Sequence, residues 1–223
     1  MNKFLAVSFG ALALAAAGNA AQGQTTEVNP APAFSGGVDF KSRYVLGDLL
    51  VGTAEPVVQG WGSLPLGEHC SLEAWGSHGI STSAGAELDI GGKCHGSLDN
   101  QTQVELSVLR YVLHGTDDMT AISATLRRGP LYVSVSQYVW DRNPDATQVE
   151  VGYTIAPTER FRLRAVATYE TGFGIPNILV GGAEASYSLT SHLSITGSIY
   201  TPIYHGAGDT RGTEAIFGLS YSF

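Results

Sequence analysis

Beyond Ala17 the sequence has no apolar run approaching the roughly twenty residues that a helix needs to cross a bilayer. If the chain enters a membrane, it must do so as strands closed into a barrel. Charge is scarce as well: 14% of residues are Asp, Glu, Lys or Arg, and the balance is acidic, 12 cationic against 20 anionic side chains. Such an acidic chain is a poor candidate for binding nucleic acid. There are only two cysteines, too few for a disulfide-rich scaffold. What is abundant is glycine, 28 residues, with 10 Tyr and 8 Phe, the composition of short strands and tight turns.

The start of the chain reads as an export signal. Residues 1–21 open with the cation Lys3, continue through an apolar stretch from Phe4 to Ala17, and end on the small residues Gly18, Asn19, Ala20 and Ala21. This is the n-region, h-region and cleavage pattern of a secretory signal peptide. Residues 22–34 (QGQTTEVNPAPAF) are polar and proline-bearing, a tether ahead of the first strand.

From residue 35 to 223 the chain is a succession of alternating segments. They are Ser35–Leu46, Pro56–Leu64, Cys70–Ser77, Ala86–Cys94, Thr102–Leu113, Thr120–Arg127, Leu131–Val139, Thr147–Ile155, Phe161–Tyr169, Leu179–Leu189, Leu193–Tyr200 and Glu214–Phe223. The expected fold is all-β: a single antiparallel transmembrane barrel of about twelve strands, the even number that single-chain bacterial barrels use. Connections after the even-numbered strands are short, and those after the odd-numbered ones are longer and rich in Gly, Asp and Pro. That asymmetry predicts short periplasmic turns, longer extracellular loops, and a place in the outer membrane of a Gram-negative bacterium. The last strand puts Phe217, Leu219, Tyr221 and Phe223 on one face and Gly218, Ser220 and Ser222 on the other. A terminal strand with an aromatic outer face is read as the assembly signal for the barrel-assembly machinery.

Alternation assigns the faces. Val149, Val151, Tyr153 and Ile155 lead one side of their strand and Glu150 the other; Leu163, Ala165 and Ala167 oppose Arg162 and Arg164. Apolar faces out toward lipid, charge faces in. The fifth strand changes phase, with Val104, Leu106 and Val108 followed by Leu109, Tyr111 and Leu113, so a bulge near Val108 and Leu109 is expected to turn Arg110 inward. The expected pore-lining residues are Asp39, Lys41, Arg43, Glu73, Glu87, Asp89, Glu105, Arg110, Glu150, Arg162, Arg164 and Glu184, together with Arg127. Pairing Cys70 with Cys94 also pairs Leu72 with Gly92, Ala74 with Ile90 and Gly76 with Leu88. The two thiols then meet at the periplasmic end of one hairpin, where oxidising conditions favour a disulfide; two free thiols used as small apolar residues are the alternative.

The stretch from Ser42 to Gly62, the LEAWGS of residues 72–77 and the AELDIGG of residues 86–92 resemble the opening of the TorF family of porin-like proteins. The matching positions are Ser42, Tyr44, Gly47, Pro56, Gln59, Gly60, Trp75, Gly76, Ser77, Glu87 and Asp89. The chain departs from the pattern before Gly47, where Leu46 stands in place of an arginine and the segment is one residue short. The resemblance implies a small outer-membrane barrel.

The function expected is a porin-like channel for passive diffusion of small hydrophilic solutes, with outer-membrane lipid and lipopolysaccharide as surroundings. The alternative is a non-conducting structural or surface-interaction barrel whose inner charges pair across the lumen. For an enzyme, His78, His114, His205, Asp117, Asp118 and Asp209 are the residues to consider, but none lies in a nucleophile motif. No cofactor motif is present, and the adjacent acids Asp117 and Asp118 do not make a metal site. Tyr132, Tyr138, Trp140 and Tyr200 are expected in the girdles at the membrane interfaces.

Overall fold

The structure, a computed structural model, describes residues 34–46, 51–53, 55–81, 86–115, 117–142, 145–172 and 176–223. The expected signal peptide and nearly all of the tether, as well as Gly47, lie outside the described residues.

The described residues form strands and turns. In chain order the strands are β1 (Ser35–Lys41), β2 (Tyr44–Leu46), β3 (Val51–Thr53), β4 (Val57–Leu66), β5 (Cys70–Gly79), β6 (Glu87–Ser97) and β7 (Thr102–Leu113). They continue as β8 (Met119–Arg128), β9 (Leu131–Trp140), β10 (Ala146–Ile155), β11 (Phe161–Thr171), β12 (Ile178–Ser188), β13 (Leu193–His205) and β14 (Glu214–Ser222). All but β2 and β3 join one antiparallel sheet that closes when β14 pairs with β1, a barrel of twelve strands. Closure satisfies every edge, which is what allows strands to face lipid.

The outward faces are apolar along the wall. Leu64, Leu72, Ile90, Leu106, Ile122, Val135, Val151, Ile195 and Leu219 are exposed, and each sits one register step from an inward polar or small residue. Exposed aromatics gather toward both rims: Tyr153, Tyr187, Tyr221 and Phe223 toward the short-turn end, Phe40, Tyr169, Tyr204 and Phe217 toward the other. An apolar belt between aromatic girdles is the surface of a barrel embedded in lipid.

Local chemistry explains the short turns. Gly129 takes φ 56° between β8 and β9, a left-handed position that a side chain would strain. Between β6 and β7, Asp99 accepts hydrogen bonds from the backbone N–H groups of Gln101 and Thr102, both at 2.8 Å. Those donors hold its carboxyl below the usual carboxylate range.

Three expectations change. The first strand leaves the wall at Lys41: Ser42 donates its N–H to Phe217 O at 2.8 Å and accepts from Phe217 N–H at 3.0 Å through its Oγ. Beyond that point the chain leaves the ladder and forms the small hairpin of β2 and β3. The bulge near Val108 is absent, since β7 keeps one continuous register with both β6 and β8. β13 is longer than expected, reaching His205 past a register shift opposite Leu179 and Val180.

Candidate functional site

Because side chains alternate across a strand, an unbroken register fixes which residues enter the lumen. A cavity of about 710 Å³ occupies it, lined among others by Asp39, Lys41, Arg43, Gln59, Arg127, Tyr132, Glu150, Arg162, Arg164, Glu184 and Tyr200. A second, of about 290 Å³, lies against β4 to β7 and is lined by Trp61, Glu73, Trp75, Asp89, Lys93, Glu105 and Leu109. Eleven of the twelve sequence-predicted pore-lining residues therefore take inward positions or border these spaces, Glu87 among them on the face it shares with Asp89.

Arg110 is the exception. It lies opposite Ile90 and Thr120 on the outer face of β7, close to the long-loop rim. There its guanidinium bonds Asp141 at 2.9 and 2.6 Å and Asp118 at 3.4 Å. The register does not switch, because the inward position falls to Leu109, which packs by Trp61 and Trp75 around the smaller cavity. Two consecutive apolar residues here belong to two faces, since the lumen on this side is itself partly apolar. Hydrogen bonding to Arg110 keeps the Asp141 carboxyl below its ordinary range.

The best-connected group in the lumen is Arg164. Its Nη2 meets Glu150 Oε1 at 2.6 Å, its Nη1 meets Glu184 Oε1 at 2.5 Å, and its Nε donates to Tyr132 Oη at 2.7 Å. Tyr132 also donates to Glu150, and Tyr200 donates to Glu184 Oε1 at 2.5 Å. These tyrosines are buried in the interior instead of forming a girdle, a correction that extends to Tyr138, whose hydroxyl reaches Gln148 at 3.3 Å, and to Trp140 on the same face of β9. The signal was present in the sequence: Leu131, Val133, Val135 and Val139 lead the outer face, so their alternates point in. Glycines make room for these rings. Tyr132 lies over Gly152 and Tyr200 over Gly182, each its direct cross-strand partner, and a Cβ on either glycine would stand 2.2–2.4 Å from the ring.

The other lumen charges are less engaged. Arg127 stands over the Tyr132 ring at 4.9 Å, and Arg43 pairs with Glu214. On the opposite wall Lys93 meets Glu73 at 3.3 Å. Arg162 and Lys41 border the larger cavity with no ion pair among the described residues.

The described start of the first long connection, Tyr44 and Val45, turns inward. Tyr44, at the start of β2, is buried; it donates its hydroxyl to Glu87 Oε2 and its ring centroid lies 6.4 Å from that of Trp75. Val45 borders the larger cavity. Tyr44, Gln59, Trp75, Ser77, Glu87 and Asp89, scattered between residues 44 and 89 of the sequence, thus meet on the inner side of β4, β5 and β6.

Cys70 and Cys94 are joined by a disulfide. They are register partners on the outer face, beside the short turn between β4 and β5. Of the loop acids and histidines, Asp209 is held by Arg211 through bonds of 2.9 and 2.8 Å and faces His205 Nδ1 at 3.5 Å. Arg211 drives its carboxyl well below the usual range. His78 lies at the end of β5 and His114 just beyond β7, so the three histidines belong to separate connections.

No family model matches the chain, and no curated protein matches its sequence. Solved structures do resemble its fold. A KdgM porin in complex with disordered oligogalacturonate superposes with a TM-score of 0.60 at 11% identity, covering 85% of this chain and 99% of that one. A NanC porin gives a TM-score of 0.59 at 10% identity, over 86% and 99%. An outer membrane channel from Pseudomonas putida gives 0.55 at 9% identity, over 86% and 95%. With its closed ladder, apolar belt and charged interior, the chain has the fold of a small porin-type outer-membrane barrel.

Proposed function

We propose that the protein is a porin-like channel through which small hydrophilic solutes diffuse passively. The observation that carries this reading is the larger cavity, about 710 Å³ of lumen bordered by five basic and three acidic side chains, with Arg162 and Lys41 presented to it without an ion pair among the described residues. Charge in a narrow, low-dielectric passage selects solutes by sign and polarity. Residues 1–21 would direct export, and the outward row Phe217, Leu219, Tyr221 and Phe223 would be read by the barrel-assembly machinery. Lipopolysaccharide would surround the long-loop rim, and the chain would belong to the TorF family. The porins and the channel among the structural neighbours agree with this reading.

The Arg164 network favours a second reading, a structural barrel. One guanidinium tied to two carboxylates and a tyrosine cross-links the neighbouring strands β9 to β12 on the inside of the wall. Single-channel recording of the purified protein in a planar bilayer separates the two. Discrete ohmic steps are expected for the channel; folded, inserted protein that never conducts would establish the structural barrel.

A further inference from the structure

The inner side of β4, β5 and β6 carries a row of oxygen donors. Gln59 is the register partner of Ser77, and Ser77 of Glu87, so three inward side chains stand side by side on successive strands. Directly opposed side chains of this kind hold their Cβ atoms about 4.5–5.5 Å apart. Asp89 follows Glu87 on the same face, two residues along β6.

These groups are enclosed and under-satisfied. Gln59, Ser77, Glu87 and Asp89 are 4%, 3%, 7% and 9% exposed. Gln59 Oε1, Ser77 Oγ and Asp89 Oδ1 have no hydrogen-bond partner among the described residues; Asp89 and Glu87 bond one another, and neither forms an ion pair among the described residues. Unpartnered buried acceptors are costly, and two neighbouring carboxylates without a counter-charge more so. Lys93, the inward cation on this wall, is engaged with Glu73.

We propose that this row is a binding site for a hard divalent cation, calcium in the first instance, held by the Glu87 and Asp89 carboxylates with Gln59 Oε1 and Ser77 Oγ. Every donor is oxygen, which selects hard cations over zinc or copper. Two carboxylates balance two positive charges. Donors spread over three strands make an irregular shell, which calcium accepts at 2.3–2.6 Å and magnesium, with its near-octahedral demand at about 2.0–2.1 Å, does not. The site can be reached from the lumen, since Gln59 borders the larger cavity and Asp89 the smaller. The Tyr44 hydroxyl, on Glu87, orients that carboxylate from the first long connection. A bound ion would tie three adjacent strands together near the long-loop rim and remove two negative charges from the lumen, whether or not the lumen conducts.

The test is calorimetric titration of calcium chloride into the folded, chelator-stripped protein in detergent. One saturable equivalent is expected, with magnesium chloride binding at least about tenfold more weakly. Asp89→Asn and Gln59→Leu should each lower calcium affinity at least about tenfold, with folding confirmed by heat-modifiable gel migration. A double change of Asp117→Asn and Asp118→Asn, on the outer rim, should leave the affinity unaltered. Should Asp89→Asn not fold, the wild-type titration and Gln59→Leu still decide. No saturable uptake by the wild type overturns the proposal, as does full affinity in Gln59→Leu or loss of uptake in the rim variant; a proton shared by Glu87 and Asp89 would then be what neutralises the pair.

Discussion

Arg162 and Arg164 project from the same face of β11 and are equivalent in the sequence, yet the structure gives them different tasks. Arg164 is bonded to Glu150, Glu184 and Tyr132 and is about one-quarter exposed; Arg162 borders the cavity without an ion pair. Removing Arg164 leaves two carboxylates facing each other in a confined space. Arg164→Ser should therefore lower stability by about 1–3 kcal/mol, below the range for a fully buried pair because the side chains are partly exposed, and an unfolding titration would measure it. Arg162→Ser should leave stability within about 0.5 kcal/mol, since it breaks no bonded network, but should shift reversal potentials toward cation permeation. If Arg162→Ser alters stability and Arg164→Ser only permeation, the roles are reversed. Alternation in the sequence tells that both residues face in. Which inward residue meets which partner depends on the barrel's curvature and stagger, and these are not written in a period-two pattern. Arg110 shows the opposite failure: an apolar Leu109 was read as lipid-facing because a lumen was expected to be polar throughout.

At the scale of the elements, the hairpin β5–β6 was the most legible part of the chain. The common index sum of four residue pairs, read along two alternating segments, reproduces the observed register, including Cys70 opposite Cys94. The disulfide closes a loop with a sequence separation of 24, for which chain entropy gives about 3.5 kcal/mol. The ladder already holds these strands together, so the effect on the folded barrel should be smaller. Cys70→Ser with Cys94→Ser is expected to assemble normally and to unfold at a modestly lower denaturant concentration, with reduction of the wild type producing the same shift. Equal midpoints for oxidised and reduced protein would show that the bond contributes nothing to stability. The first strand was less legible, because apolar alternation continues through Val45 and Leu46 after the chain has left the wall. What ends β1 is a long-range contact, the two hydrogen bonds between Ser42 and Phe217, and no local signal announces it. The inward turn that follows carries Tyr44 to Glu87, the step that gathers six of the eleven positions resembling the TorF pattern, Tyr44, Gln59, Trp75, Ser77, Glu87 and Asp89, into one cluster.

For the whole molecule, closure depends on a seam between the first and last strands, paired from Gly37 with Ser222 to Lys41 with Gly218. Phe223 extends that seam by one step: its N–H donates to Gly36 O at 3.0 Å and its carbonyl accepts from Gly36 N–H at 3.3 Å. Its ring lies 6.3 Å from Phe34 and 6.5 Å from Tyr221, on the outer surface at the short-turn rim. The residue thus carries two separable contributions, backbone closure and an exposed aromatic. Deleting Phe223 removes both, while Phe223→Ser keeps the backbone bonds and loses only the ring. If the ring is the feature the assembly machinery reads, both changes should reduce the amount of heat-modifiable barrel recovered from outer membranes, and to a similar extent. Refolding in detergent bypasses that machinery, so there Phe223→Ser should match the wild type, and the deletion alone should unfold at lower temperature for want of two seam bonds. A wild-type yield of Phe223→Ser in cells would remove the recognition role and leave Phe223 as a closing residue of the wall.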